Sequence, residues 1–292
     1  MKSAPECLPC AVRQAMRTTR IAGLDGEAQK KAALAAMRVI VELDHGAAPA
    51  VIATAAIRAA EALFEGRDPF AGIKRETTAE ALALYEEMRP EVEAELSSLD
   101  PIGRIRLCAK LAAAGNIIDF GISSDYDLKG TLEDTLSRDL AVDASGELHQ
   151  AILGASEILV VGDNAGEIVF DRFLLDEITG MGKTAYLSVK SGPVLNDAVM
   201  SDALAAGIGE PVRLMETGSS SLGVALEECS PEFVRLFKRA GVVISKGQAN
   251  YETLEDASRP VFSILRVKCP VISQPLGIPT GASVLMLGGS PR

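Results

Sequence analysis

Apolar positions change their spacing once along this chain, near residue 150. Before that point, stretches such as EAQKKAALAAMRVIVELD, APAVIATAAIRAAEALF and AEALALYEEMRPEVEAEL place apolar residues every three or four positions among Glu, Lys and Arg. That is the period of helices with one buried face, so residues 1–150 are expected to form a helical domain. Beyond it, short apolar runs alternate with helical patterns: EILVVGD, TAYLSVK, VRLMETG, VVISKG, VFSILRVK and ASVLMLG. This is the rhythm of a doubly wound α/β sheet, expected over residues 151–292. No internal repeat or low-complexity linker separates the halves, and they are expected to pack as one unit.

The most informative junction is ILVVGDNAGE, residues Ile158 to Glu167. A β-branched run stops at Asp163 and Asn164, and the amphipathic stretch IVFDRFLLDEI follows, so a buried strand feeds a helix. Open α/β sheets bind ligands at the carboxyl ends of their strands, where free N–H groups of the next helix receive anions. Oxygen donors beside such an anion site suit a divalent metal holding a phosphate. One βα unit later, TAYLSVK gives way to SGPVLNDAVMSDAL, which brings Asn196 and Asp197 to the same edge, with a helix expected from about Asn196. The alternative is that Asp163 and Asp197 are simple helix N-caps. Asp202, one turn on, is expected to be a solvated helix residue.

Two further strand ends carry polar groups. After VVI comes a candidate substrate loop containing Lys246, Gly247, Gln248, Ala249, Asn250 and Tyr251, in which the glycine permits close backbone approach. In LRVKCP, alternation along a strand places Arg266 and Lys268 on one face and Val267 on the other. A lysine ending an apolar strand is explained by an anion, or else it is a surface residue. Glu167 is open to two readings: general acid or base, or a first-turn complement to the helix dipole.

Composition narrows the class. The chain has 292 residues, 48% hydrophobic and 24% charged, enough for one large core or two modest ones. No apolar run reaches the ~20 residues of a membrane helix, and the N-terminus lacks a signal-peptide core. Five scattered cysteines fit a reducing compartment, so a cytoplasmic protein is expected. A formal charge of -11, without an offsetting basic cluster, argues against nucleic acid and anionic membranes as partners. A small anionic substrate would then need a local trap of metal and lysine.

Together GDNAGE, GPVLNDA, SKGQANYETL and RVKCPVI, with ECLPC at the N-terminus and AAGNIIDFG at Ala113 to Gly121, resemble the metal-dependent damage-control phosphatases, in the bacterial and archaeal branch that carries an N-terminal CxxC. The resemblance covers nearly the whole chain. It implies a helical N-terminal region on a Rossmann-like α/β/α core. It further implies a divalent metal (Mn, Co, Ni or Mg) held by Asp163, Asn164 and Asp197, a substrate loop from Gly247 to Tyr251, and a phosphate-contacting Lys268. The reaction it implies is hydrolysis of small phosphometabolites, such as damaged or side-product sugar phosphates or phosphopantetheine-like esters. Eukaryotic sugar-phosphate members have an arginine three residues before that lysine, where this chain has Leu265, so their substrate preference does not transfer.

The residues support the same chemistry. A metal on the two aspartates and the asparagine would polarise a phosphoryl oxygen and position water, with Lys268 neutralising the remaining charge. Asp163 as a nucleophile is disfavoured, because aspartate phosphatases of that kind need a second Asp two residues on, where Ala165 stands. Cys7 and Cys10 could share a second metal or form a redox pair. A zinc site would need ligands from among His45, His149 and Cys108. Cys229 and Cys269 read as small core residues. Two other classes stay open: an S-adenosylmethionine-dependent carboxyl methyltransferase, although GDNAGE lacks the repeated glycines of such a loop, and a non-catalytic metal or cofactor carrier built on the CxxC pair.

Overall fold

A computed structural model describes residues 1–44, 46–63, 67–115 and 128–289. His45 and residues 116–121 of the AAGNIIDFG segment lie outside them. Three helices open the chain: α1 (Cys7–Ile21), α2 (Gly26–Glu42) and α3 (Pro49–Glu61). They share a separate small core built mainly from Ala11, Ala15, Ala32, Ala36, Ile52, Ala56 and Ala60. Helix α2 starts where the Asp25 carboxylate accepts from Ala28 N–H at 2.9 Å, and α3 starts with Pro49, which needs no N–H partner there. Helices α4 (Ala71–Ser98), α5 (Pro101–Ala114), α6 (Leu128–Ser137) and α7 (Ser145–Gly154) follow, α5 opening on a second Asp cap, Asp100 to Gly103 N–H at 2.7 Å. Among the described residues no helix is long and apolar enough to cross a membrane.

The sheet takes β1 (Val142–Asp143), β2 (Glu157–Val161), β3 (Thr184–Val189), β4 (Arg213–Glu216), β5 (Val242–Lys246), β6 (Val261–Arg266) and β7 (Ser283–Gly288) in the spatial order β1-β7-β6-β5-β2-β3-β4. Strands β2 to β6 run parallel, and β7 is antiparallel to β6. The connecting helices are α8 (Ile168–Gly180), α9 (Met200–Ala205), α10 (Pro231–Arg239), α11 (Gln248–Leu254) and α12 (Pro270–Leu276). Side chains alternate across the sheet as a two-residue period requires. Ile158 and Val160 of β2 enter one core with α5, α7 and α8, while Leu159 and Val161 enter another with α10. An α/β/α sandwich results, with both faces of the parallel strands covered.

The helix expected from about Asn196 begins only at Met200, and β7 is an antiparallel strand that alternation alone did not distinguish. The change of pattern near residue 150 is not a change of packing. Ala81, Tyr85, Ile105, Leu111, Leu148 and Ile152 share one continuous core with Ile158, Phe170, Ile244 and Leu285, and β1 pairs with β7. Helices α4, α5 and α7 thus belong to the sandwich. Among the described residues only α1 to α3 have a core of their own, and they dock on its carboxyl edge, where Thr54 Oγ1 accepts from Leu222 N–H at 3.0 Å and the N-terminal ammonium donates to Glu252 O at 2.8 Å.

The order of connection reverses between β2 and β5: the chain leaves β2 towards β3 and β4, and leaves β5 towards β6. The loops after these two neighbouring strands therefore diverge, opening a crevice at the carboxyl edge where such folds place ligands.

Candidate active site at the carboxyl edge of the sheet

The loops after β2 and β3 are tied together at this crevice. Asn164 and Asp197 form an isolated antiparallel bridge; Ala165 N–H donates to Asn196 O at 3.0 Å and Ala198 N–H to Asp163 O at 2.8 Å. Asp163, Asn164 and Asp197 are all buried. Neither aspartate caps a helix. The cap position of α8 is Glu167, and that of α9 is Val199, whose N–H is met by Asp202 Oδ2 at 3.0 Å. Asp202, expected to be solvated, also pairs with the buried Lys74 at 3.2 Å. It is fixed by the cap and by that cation together.

The side chain of Asn164 has its orientation decided by its donors. Nδ2 donates to Asp163 Oδ2 and to Glu167 Oε2, each at 3.1 Å, which uses both amide hydrogens and leaves Oδ1 as the free acceptor. Asp197 Oδ2 lies 3.6 Å from Lys190 Nζ, a buried ammonium that also donates to Gly223 O. Sequence reasoning passed over Lys190. The signal was present, since it ends the strand run TAYLSVK as Lys268 ends VFSILRVK.

The loop after β5 departs from expectation. Lys246 is the last residue of β5, and its ammonium is fully buried, donating to Asp171 Oδ1 at 2.6 Å, Glu167 Oε1 at 2.7 Å and Ala112 O at 3.0 Å. It faces the α8 side of the sheet and offers nothing to a ligand in the crevice. Burial opposes its charge, but the Asp171 and Glu167 carboxylates outweigh that and hold its pKa above the ordinary lysine value. Gly247, at φ 79° and ψ 167°, sits against Asp163. Gln248 and Ala249 line the cleft. Asn250 is buried and donates to Gly162 O at 3.0 Å and Lys246 O at 2.7 Å. Tyr251 packs among Leu265, Val267 and Ile272. These last two hold the loop in place from behind, because the first turn of α11 rotates them away from the opening.

Lys268 lies two residues past the end of β6 and is exposed, so the strand alternation that paired it with Arg266 does not extend to it. Its backbone N–H donates to Gln248 Oε1 at 3.0 Å. Lys268 nevertheless borders the same cavity, about 380 Å³, as Asp163, Asn164, Asp197 and Gln248. Glu167 is 1% exposed and is spent on Lys246 and Asn164. Cys7 and Cys10 border this cavity from the start of α1, as does Cys269. All three are free thiols, and burial pushes the Cys7 thiol above its usual pKa. Cys269 is half-buried at the cleft wall, and so is Cys229 elsewhere; neither is a sealed core residue. Cys108 is sealed, donating to Phe173 O at 3.4 Å in the sandwich core, which removes it as a partner for the CxxC pair.

The donor set at the crevice consists of two carboxylates and one carboxamide oxygen. Among the described residues no three His, Cys, Asp or Glu side chains gather as a metal cluster, so Asn164 is what would complete this set. An all-oxygen set with open directions towards a cleft suits Mg²⁺ or Mn²⁺ and admits Co²⁺ or Ni²⁺.

Comparison with known proteins agrees with this architecture. Residues 3–284 match the damage-control phosphatase ARMT1-like domain. The chain is 34% identical to an uncharacterised protein of Methanocaldococcus jannaschii, with 98% of this chain and 95% of that one covered. It is 31% identical to a damage-control phosphatase of Pyrococcus horikoshii, with 98% of both covered. The crystal structure of a DUF89 family protein from Pyrococcus horikoshii superposes with a TM-score of 0.88 at 31% identity, over 99% of each chain. A sandwich with its polar cleft at the switch point, matched over almost its entire length, establishes that this chain belongs to the damage-control phosphatase ARMT1-like family.

Proposed function

We propose that the protein hydrolyses small phosphomonoesters with a divalent metal held by Asp163, Asn164 and Asp197. The observation that carries this reading is the meeting of these three side chains and Lys268 on one cavity at the β2/β5 switch point. When bound, Mn²⁺, Co²⁺, Ni²⁺ or Mg²⁺ supplies Lewis acidity and a lowered pKa for water. The chain supplies the rest. Asn164 presents Oδ1 because its amide nitrogen is already engaged. Lys190 holds one face of Asp197. The exposed Lys268 ammonium closes on phosphoryl oxygens and neutralises charge spread over them during transfer. Gln248, through its bond to the Lys268 backbone, fixes that corner of the cleft.

The cavity volume fits a metabolite rather than a macromolecule, and damaged or side-product sugar phosphates or phosphopantetheine-like esters are the proposed substrates. Free thiols throughout fit a cytoplasmic setting. The test is phosphate release from a generic phosphomonoester after exhaustive chelation, then after return of each metal. Activity is expected to vanish and to recover with Mn²⁺, Co²⁺, Ni²⁺ or Mg²⁺ better than with Ca²⁺. Full activity in the chelated protein would reject the metal assignment.

A further inference from the structure

Beneath the cleft lies a cluster of charge that the hydrolysis itself does not use. Lys246, Glu167 and Asp171 are each 0–1% exposed and come from the end of β5, the cap of α8 and its first turn. One ammonium bonds two carboxylates, at 2.7 Å to Glu167 and 2.6 Å to Asp171. Burying three such charges is costly, and hydrophobic replacement is often neutral or stabilising, so stability alone explains the cluster poorly. The two carboxylates differ in what they touch. The second oxygen of Glu167 receives Asn164 Nδ2 at 3.1 Å, whereas Asp171 Oδ2 has no hydrogen-bond partner.

We infer that Glu167, anchored by Lys246, is a positioning residue that fixes the rotation of the Asn164 amide so that Oδ1, and not Nδ2, faces the metal site. An asparagine is a ligand through oxygen only, and its two ends are nearly equal in shape. Rotation about its last bond would present a donor to the cation. Two acceptors, Asp163 Oδ2 and Glu167 Oε2, hold Nδ2 inward. The first belongs to a carboxylate that would itself hold the metal, so Glu167 is the acceptor that lies outside the proposed ligand set. Lys246 holds that carboxylate in place through its 2.7 Å bond to the other oxygen. Its position one residue before Gly247 ties the cluster to the loop that touches Asp163. The partner of a ligating group commonly governs its affinity in this way.

The inference rests on the metal reading above, and its test separates the two. Mn²⁺ binding is measured by titration calorimetry on the full chain, with thermal unfolding of the metal-free protein as a check on folding. Glu167→Gln, which faces the Lys246 ammonium with an amide, is expected to weaken Mn²⁺ binding by about 10–100-fold. Asp171→Asn removes the same charge from the same cluster without touching Asn164 and is expected to bind Mn²⁺ as the wild type does. Glu167→Asp keeps the charge but withdraws the oxygen from Asn164; it is expected to fold and to show the same weakening, which covers a failure of the Gln variant to fold. If both positions weaken binding equally, or if folded Glu167 variants bind like the wild type, the positioning role is wrong and the cluster is structural. A wild-type protein that binds none of Mn²⁺, Co²⁺ or Ni²⁺ would overturn the metal reading itself, and this inference with it.

Discussion

Gly247 and Asp163 are in backbone-to-side-chain contact across the switch point: a Cβ placed on Gly247 would lie 1.9 Å from Asp163 Oδ2. The loop after β5 thus forms one wall for the carboxylate that ends β2. Gly247 also holds φ 79° and ψ 167°, a region that is almost reserved for glycine and costs other residues of order 1–3 kcal/mol. Gly247→Ala is expected to lose stability by about that amount and to displace Asp163. Urea unfolding and phosphatase assays on the variant check both effects. Wild-type activity in Gly247→Ala would show that the contact has no bearing on the site.

Asp163→Asn is expected to lose activity while keeping its metal-free unfolding temperature, because its side chain caps no helix, whereas Asp197→Asn is expected to lose activity and also to lower that temperature, because it takes the counter-charge from the buried Lys190. The wild type should gain stability on adding Mn²⁺, about 2.7 kcal/mol when the metal is at one hundred times its dissociation constant. Both variants should lack that gain. Thermal unfolding with and without Mn²⁺ decides it, and an undiminished gain in either variant removes that aspartate from the metal set.

The two lysines at strand ends should separate cleanly. Lys268→Met removes an exposed cation from the cleft wall and is expected to lower turnover by ~10²–10³, as loss of one charge-stabilising contact does, with folding unchanged. Lys246→Met leaves two carboxylates buried without their cation and is expected to cost about 3–5 kcal/mol of stability. Steady-state kinetics on the first and denaturant unfolding on the second provide the comparison. Wild-type kinetics in Lys268→Met would move the phosphate contact elsewhere.

Cys7 and Cys10, the candidate second-metal or redox pair, both border the cleft. Cys10 is exposed and Cys7 only partly so. Alkylation with iodoacetamide should therefore modify Cys10 before Cys7 and raise KM more than it lowers kcat, because the added group narrows the opening. Mass spectrometry locates the modification. If stoichiometric labelling of Cys10 leaves KM unchanged, that face of α1 does not meet the substrate.

Asp171 gives the protein a pH dependence of definite sign. Burial pushes its carboxyl from the usual 3.8 up to about 6, with Lys246 opposing and Glu167 adding to the shift. The unfolded chain releases this proton first, so the folded state holds the extra proton within that interval. This contribution to stability falls as pH rises from the unfolded value to about 6. Asp171→Asn should lack it. Urea midpoints for both proteins below and above the window test this, and identical pH slopes would show that Asp171 does not titrate there.

Much of the site was legible because it depends on local chemistry. GDNAGE announced a strand end with oxygen donors, and GPVLND a second one; both come to the same crevice. Lys268 borders the same cavity but stands two residues beyond its strand, so strand alternation does not account for its position. Lys246 was placed in the loop although its side chain points into the core. Alternation says that neighbouring residues face opposite ways, but not which way a cation turns when partners from α8 await it.

The sequence by itself determined the kind of each element, where the strands end, and which oxygen-bearing groups end them. These follow from periodicity and turn chemistry within a few residues. Only the tertiary structure decided that β2 and β5 are neighbours, that Glu167 meets Lys246, and that α1 brings Cys7 and Cys10 to the cleft. Those contacts join residues 79 or more positions apart. Their partners are chosen by shared burial and by charge compensation, which no local pattern encodes. The same holds near residue 150: helical spacing shows that α4, α5 and α7 each have an apolar face, but only packing shows that the sheet is what covers it.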